Sequence, residues 1–99
     1  MENSRFPNRL KKYRRIFCLS QKQVARMLGL KNTSPLSRWE KGRAFPGIIH
    51  LFGLSRIYKT LPSELYIDLW LTISKEISTK ENNLFAHHES LITNETYYL

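Results

Sequence analysis

Residues 19–42 of the chain read LSQKQVARMLGLKNTSPLSRWEKG. Ser20 followed three residues later by Gln23 is a capping-box pattern, in which each side chain bonds the backbone N–H of the other residue. A helix is therefore predicted to begin directly after Ser20. The apolar residues on one face of this helix are Val24, Ala25 and Leu28. Gly29 is predicted to end the helix, because glycine adopts the left-handed conformation that other residues resist.

A second, shorter helix is predicted after this turn. Ser34 fits the N-cap, and Pro35 fits the first helical position, where the missing N–H is not needed. Leu36 and Trp39 are spaced to point inward, and Gly42 is expected to close the helix. The outer face would then carry one hydroxyl and two cations, Ser37, Arg38 and Lys41. Two helices joined by a tight glycine-containing turn form a helix-turn-helix.

Apolar residues at three- and four-residue spacing predict further helices on both sides of this motif. We expect a first helix from about Pro7 to Phe17 and a fourth from about Ile48 to Tyr58. The expected inward residues are Leu10, Tyr13 and Phe17 in the first, and Ile48, Leu51, Leu54 or Ser55, and Tyr58 in the fourth. Gly53 weakens the fourth helix, and a close approach by another helix would explain its presence.

The C-terminal third is predicted to begin with a long fifth helix. This helix would start near Leu61 or Pro62 and run to about Ile77, with an apolar stripe made of Leu65, Leu69, Ile73 and Ile77. The stripe is longer than a five-helix core requires, so the excess could cover a tail or a second subunit. A short sixth helix over Asn82–Ile92 is an alternative to a loose tail. The fold class predicted from these segments is all-α.

Composition narrows the classes of function. The chain has 99 residues, enough for one small domain, and no apolar run approaches the roughly 18–20 residues that span a bilayer. Residues 1–9 lack the apolar stretch of a secretory signal, so a cytoplasmic location is expected. Cys18 is the only cysteine. It is expected to be a small buried hydrophobe, with a regulatory thiol as the alternative.

Charge is distributed unevenly along the chain. Residues 1–59 contain 14 Lys and Arg against two acids, which gives +12, whereas residues 60–99 contain two Lys against six acids, which gives −4. A strongly basic segment joined to a weakly acidic one is typical of proteins that bind a polyanion. Charge alone does not separate nucleic acid from an anionic membrane surface.

The sequence resembles the Cro/C1-type (XRE) helix-turn-helix family. The resemblance rests on residues 19–30 and on LSRWEKG at residues 36–42 followed by Pro46, and it extends over about Asn8–Leu65. It implies a five-helix lambda-repressor-like DNA-binding domain over residues 1–66. Residues 67–99 would then extend helix 5 and form a C-terminal tail. The implied function is sequence-specific binding of double-stranded DNA by a transcriptional regulator, with repression favoured, and the recognition helix would enter the major groove.

The resemblance also implies roles for individual residues. Gln21 matches a position that contacts phosphate and supports the recognition helix, and Lys41 and Arg43 match phosphate-contacting positions. Thr33, Ser34 and Arg38 match positions that face base edges, where Arg38 would bind guanine through two hydrogen bonds. Ser37 would read a base or bond its own helix. Arg14 and Glu40 match a salt-bridged pair between helices 1 and 3.

Two departures from the family pattern affect these assignments. The segment between Gly29 and Leu36 is one residue longer than usual, which leaves the register of residues 32–34 open by one position. Lys31 and Asn32 therefore join the candidate DNA-binding set. Cys18 stands where the family often has glycine, so the turn between helices 1 and 2 is expected to differ.

The expected partners are double-stranded DNA and a second copy of the chain. The surface expected to bind the second copy consists of Trp70, Ile73 and Ile77, extended by Leu84, Phe85 and Leu91. We expect no enzymatic activity, cofactor, metal or membrane partner. The alternative function is a protein-interaction module, or an antitoxin component that binds a partner protein through its C-terminal third.

Overall fold

The computed structural model describes residues 4–86, which form six helices and no strand. The helices are α1 (Leu10–Ile16), α2 (Gln21–Met27), α3 (Ser34–Glu40), α4 (Ile48–Ile57), α5 (Pro62–Leu65) and α6 (Ile67–Ala86). This part of the chain therefore has the predicted all-α character. None of these helices is long and apolar enough to cross a membrane.

The predicted start and end of α2 are confirmed. The backbone N–H of Gln23 donates to Ser20 Oγ at 3.0 Å, and the backbone N–H of Ser20 donates to Gln23 Oε1 at 2.8 Å. This is the capping box expected from the spacing of the two residues. Gly29 follows the helix with φ +76°, in the left-handed region that a glycine adopts without a steric penalty. Local sequence signals thus set both ends of this helix.

The predicted cap of α3 is wrong by one position. Ser34 is already the first helical residue, Thr33 precedes it, and Thr33 makes no side-chain cap bond. The cap comes from Asn32, whose Oδ1 accepts the backbone N–H of Ser34 at 2.9 Å. An asparagine side chain can bond the backbone two residues onward and so replace a serine cap. Gly42 ends α3 as predicted, with φ +72°.

One hydrophobic core joins the first five helices and the start of α6. Its buried members are Leu10, Val24, Leu36, Trp39, Leu51, Leu54, Tyr58, Leu65 and Tyr66. The close approach expected at Gly53 is present, because a Cβ placed there would lie 2.6 Å from Leu28 Cδ2. The glycine therefore lets α4 approach the end of α2.

Three expectations about the early helices are wrong. α1 begins at Leu10 and not near Pro7, because Asn8 Oδ1 accepts the backbone N–H of Leu10 at 3.0 Å. Cys18 is exposed, since it occupies a turn with φ +55° that carries its side chain away from the core. Ile48 is 59% exposed, because the inward face of α4 is set by Leu51 and Leu54, and Ile48 lies beyond the edge of the core.

The predicted single fifth helix is interrupted. Tyr66 ends α5 with φ −122° and ψ +46°, outside the helical region, while its side chain is buried against Phe45 with ring centroids 4.8 Å apart. α6 then continues to Ala86, nine residues beyond the predicted end at Ile77. The alternative prediction of a separate sixth helix over residues 82–92 is wrong for residues 82–86, because they belong to α6. The rest of that predicted helix, including Leu91, lies outside the described residues.

α6 projects from the rest of the molecule. Leu69 still packs against the core, but from Trp70 to Phe85 every side chain is exposed except that of Ser74, which is half-buried. The longest dimension of the molecule is 57 Å, against 34 and 22 Å in the other directions. A helix of 20 residues is about 30 Å long and accounts for much of this difference.

Candidate nucleic-acid interface

α3 has one buried and one exposed face. Leu36 is fully buried and Trp39 is 7% exposed, and the Trp39 ring lies 5.4 Å from the ring of His50 on α4. On the other face, Arg38 is exposed, and Lys41 is exposed at the C-terminal end of the helix. The two anchors hold a seven-residue helix at the surface with its cationic side outward.

The predicted ion pair between Arg14 and Glu40 is present. Arg14 Nε lies 2.6 Å from Glu40 Oε2, and Arg14 Nη2 donates to Glu40 Oε1 at 3.1 Å. Arg14 Nη1 also donates to the carbonyl oxygen of Leu19 at 3.0 Å. The hydrogen bond to Glu40 raises the pKa of Arg14 above its ordinary value, although burial acts in the opposite direction. The pair ties α1 to α3 next to the start of α2.

Gln21 completes the surroundings of this carboxylate. Its Nε2 donates to Glu40 Oε1 at 3.0 Å, so three N–H groups from α1 and α2 bond one acidic side chain of α3. The Glu40 side chain is only 3% exposed. The supporting role predicted for Gln21 is therefore visible. Glu40 is also the only acid in residues 4–59, so its burial leaves that surface without an exposed carboxylate.

The turn before α3 presents polar side chains beside a cleft. Lys31, Asn32 and Ser34 are exposed and Thr33 is half-buried. A cleft of about 500 Å³ lies here, lined by Lys22, Ala25, Arg26, Gly29, Leu30, Lys31, Asn32 and Thr33. Three of these lining residues are cations. The Asn32 oxygen is engaged in the cap of α3, which leaves its amide N–H₂ group as the end that can bind a ligand.

A second cleft of about 500 Å³ lies beside the C-terminal end of α3. Its walls are formed by Ser4, Pro7, Asn8, Lys11, Gln21, Ser37, Glu40 and Lys41. Ser37 is half-buried in this wall, and Lys11 and Lys41 supply its cations. Arg43 is exposed just beyond, and its carbonyl oxygen accepts a bond from the Arg5 side chain at 2.9 Å. The first cleft therefore brings together the predicted residues Lys31, Asn32 and Thr33, and the second brings together Gln21, Ser37 and Lys41, whereas Ser34, Arg38 and Arg43 line neither.

Sequence reasoning missed several residues of this surface. Lys11, Lys22 and Arg26 line the two clefts but were not among the candidates. The segment of residues 4–8 was also missed, although it forms one wall of the second cleft. Spacing on a predicted helix could have identified the three cations, whereas the position of residues 4–8 depends on contacts with residues more than 30 positions away.

Comparisons of the chain with protein-family models, curated proteins and solved structures found no match. Within residues 4–86, no group of three or more His, Cys, Asp or Glu side chains could hold a metal ion. The function of the chain is therefore inferred from its own residues and their geometry.

Proposed function

We propose that the chain is a cytoplasmic transcriptional regulator, a repressor of the Cro/C1-type helix-turn-helix family. Its lambda-repressor-like domain would bind double-stranded DNA sequence-specifically, with α3 in the major groove. One observation carries the proposal: α3 exposes Arg38 and Lys41 while Leu36 and Trp39 are buried. The buried face of such a helix holds it in place, and its exposed face can contact a ligand.

The dimensions of α3 suit the major groove. The groove of B-DNA is about 12 Å wide and accepts one α-helix, and seven residues of helix are about 10 Å long. Arg38 would bind O6 and N7 of a guanine, which is the commonest base-specific contact of an arginine. Residues of the turn before α3, Asn32 and Ser34 among them, would face neighbouring bases or the sugar-phosphate backbone.

The cations around α3 support binding to the two phosphate strands that border the groove. Lys22, Arg26 and Lys31 line the cleft before α3, and Lys11 and Lys41 line the cleft beside its C-terminal end. If about five phosphates are neutralised, log K falls with log salt at a slope of about −4 to −5. The acid nearest to this surface, Glu40, is neutralised by Arg14 and does not oppose the approach of DNA.

α6 supports the proposal that the regulator is a homodimer. One face of α6 has the alternating three- and four-residue spacing of a coiled-coil seam. Its apolar positions are Trp70, Ile73, Ile77 and Leu84, and Lys80 occupies the position between Ile77 and Leu84. The four apolar side chains are between 46% and 55% exposed. Nine of the twenty residues of α6 are Ile, Ser, Thr or Asn, which favour helix weakly. A partner would stabilise a projecting helix of this composition, because most helical stability in proteins comes from the packing of an apolar face.

A second copy of α6 is the partner that we propose for this helix. The helix carries Lys75 and Lys80 among Asp68, Glu76 and Glu81, a net charge of −1, so the net repulsion between two copies would be weak. Two copies would present two α3 helices to half-sites about one DNA turn apart, roughly 34 Å. Homodimerisation also brings together enough base contacts for a specific site.

A protein-interaction module is the second candidate function. The exposed apolar side chains of α6 favour it, since they could bind a different protein instead of a second copy. In that case a partner would copurify with the chain and would be lost on substitution of Ile73 and Ile77 by lysine. Binding to random duplex DNA would then be weak even at low salt.

Selection of bound sequences from a pool of random duplexes tests the proposed function. The proposal expects enrichment of one motif made of two related half-sites. A pool that remains unenriched after several rounds, together with no measurable affinity at low salt, would reject it in favour of the interaction module.

A further inference from the structure

Residues 4–8 lie across the C-terminal end of α3, and we refer to them as the N-terminal strap. The backbone N–H groups of Arg5 and Phe6 both donate to the carbonyl oxygen of Gly42, at 3.0 and 3.1 Å. Asn8 Nδ2 donates to the carbonyl oxygen of Trp39 at 2.8 Å. The last carbonyls of α3 and the turn after it are thus bonded by the strap, which a helix C-terminus otherwise leaves to solvent.

Gly42 is shaped to receive the strap. A Cβ at this position would lie 2.0 Å from Ser4 Oγ and 2.9 Å from the carbonyl oxygen of Phe6. Both distances are below 3.0 Å, the separation under which real Cβ atoms essentially never approach another heavy atom. The strap is therefore seated directly against the backbone at the end of α3.

This arrangement fixes the cation of Arg5 beside the recognition helix. Arg5 Nη2 donates to the carbonyl oxygen of Arg43 at 2.9 Å, and Arg5 Cζ lies 5.5 Å from the centroid of the Phe6 ring. The side chain is exposed. The bond to Arg43 uses one of the five N–H donors of the guanidinium, which leaves donors to bond a phosphate.

The strap also borders the cleft that contains Lys41. Ser4, Pro7 and Asn8 form one side of this cleft, and Ser37 and Lys41 form the other. A sugar-phosphate strand that passes over Lys41 would therefore run along the strap.

We propose that Arg5 is a further DNA-contacting residue, whose guanidinium binds a backbone phosphate next to the one bound by Lys41. The inference rests on the proposed function, and it adds a residue that neither the helix-turn-helix motif nor its spacing indicates. The strap holds Arg5 in position before DNA arrives, so the contact requires little ordering of the side chain.

Binding of a short random-sequence duplex over a series of salt concentrations tests the inference. The proteins compared are the unsubstituted chain, Arg5→Ala, Arg5→Lys and the control Arg56→Ala, which removes an exposed cation from the last turn of α4, away from both clefts. Arg5→Ala is expected to reduce the slope of log K against log salt by about 1, the loss of one phosphate contact. Arg5→Lys should keep the slope, and Arg56→Ala should leave it unchanged.

The possible outcomes separate this inference from the proposed function. If the unsubstituted chain binds DNA and Arg5→Ala retains its slope, the Arg5 contact is overturned while the proposed function stands. If Arg5→Ala and Arg5→Lys reduce the slope equally, the effect comes from the position of the strap. If Arg56→Ala reduces the slope as much as Arg5→Ala does, the effect comes from the total charge. Either result overturns the phosphate contact. No binding by the unsubstituted chain would overturn the proposed function and the Arg5 contact together.

Discussion

Arg14 of α1 holds Glu40 of α3 with two N–H groups, at 2.6 and 3.1 Å, where the Glu40 side chain is only 3% exposed. A buried carboxylate is costly unless it is paired and hydrogen-bonded. The pair therefore fixes the position of α3 relative to α1 and neutralises the only acid of residues 4–59, which lies in the wall of the cleft beside Lys11 and Lys41.

Glu40→Gln is expected to destabilise the fold. The substitution leaves the Arg14 guanidinium, whose side chain is 13% exposed, without its ionic partner. Leaving such a part-buried donor without its partner costs about 1–3 kcal/mol. Urea unfolding followed by far-UV circular dichroism measures the loss in the free energy of unfolding.

Glu64→Gln is the matched control for that prediction. Arg9 and Glu64 also form an ion pair, 2.8 Å apart, but their side chains are 40% and 36% exposed. An exposed pair contributes at most about 1 kcal/mol. Equal losses in the two variants would contradict the structural role given to the Arg14–Glu40 pair.

The fold is expected to lose stability in strong alkali because of two buried tyrosines. Burial raises the pKa of Tyr58 and of Tyr66 well above the ordinary value of 10.0, and neither hydroxyl has a hydrogen-bond partner within the described residues. Above about pH 10 the unfolded chain loses these protons before the folded chain does. The free energy of unfolding therefore falls as pH rises further, because the native state then binds more protons.

Tyr58→Phe and Tyr66→Phe should each reduce this alkaline loss. Neither change removes a hydrogen bond seen in the described residues, so stability at pH 7 is expected to be nearly unchanged or slightly higher. Unfolding curves at pH 7 and pH 11 measure both effects. A phenylalanine variant with the same alkaline loss as the unsubstituted chain would show that other groups cause it.

The parts of the fold that were predictable depend on local chemistry. The Ser20–Gln23 capping box and the turn at Gly29 need only neighbouring residues, and both are present as predicted. The start of α1 was mispredicted because the strap residue Asn8, and not Pro7, bonds the first turn. The break at Tyr66 depends on a ring contact with Phe45, 21 positions earlier in the chain. Contacts between segments that are distant in the chain cannot be predicted from local sequence patterns.

The same distinction applies to the candidate interface. The exposure of Arg38 and the burial of Trp39 follow from helical spacing. The burial of Cys18 was mispredicted because it was based on the general tendency of cysteine to be buried. In the structure, the turn that contains Cys18 leaves its side chain exposed. Arg5 carries no motif, and its place beside α3 arises from backbone bonds to Gly42.

Gly42→Ala and Gly29→Ala form a matched pair that tests the seating of the strap. Both glycines have φ above +70°, so alanine at either position costs about 1–2 kcal/mol in backbone strain. A Cβ at Gly29 meets nothing within 4 Å, whereas one at Gly42 collides with the strap. Gly42→Ala should therefore lower the free energy of unfolding more than Gly29→Ala. Equal losses would mean that the strap does not lie on Gly42 in solution.

Ile73→Lys is expected to convert the proposed homodimer into a monomer without unfolding it. Ile73 is 46% exposed in a single copy, so a lysine costs the monomer little, whereas in a helix pair it would remove an apolar contact and add a second charge to a seam that already contains Lys80. Sedimentation equilibrium measures the mass, which should be twice 11.8 kDa for the unsubstituted chain and 11.8 kDa for the variant.

Ser78→Lys is the control for this dimer prediction. Ser78 is an exposed residue of α6 outside the row formed by Trp70, Ile73, Ile77 and Leu84, and its substitution should leave the dimer intact. A monomeric unsubstituted chain would contradict the dimer. A dimer that survives Ile73→Lys would move the interface to another surface.

Arg38→Ala, compared with Lys41→Ala, tests whether α3 reads the base sequence of DNA through Arg38. Affinities of both variants are measured for the selected DNA site and for every single-base change in it. Arg38→Ala should lose about 1–3 kcal/mol of discrimination at one base position of each half-site, while Lys41→Ala should weaken binding to all sequences about equally. If Arg38→Ala discriminates among these sequences as the unsubstituted chain does, then α3 does not read DNA through Arg38, and the proposed base recognition is wrong.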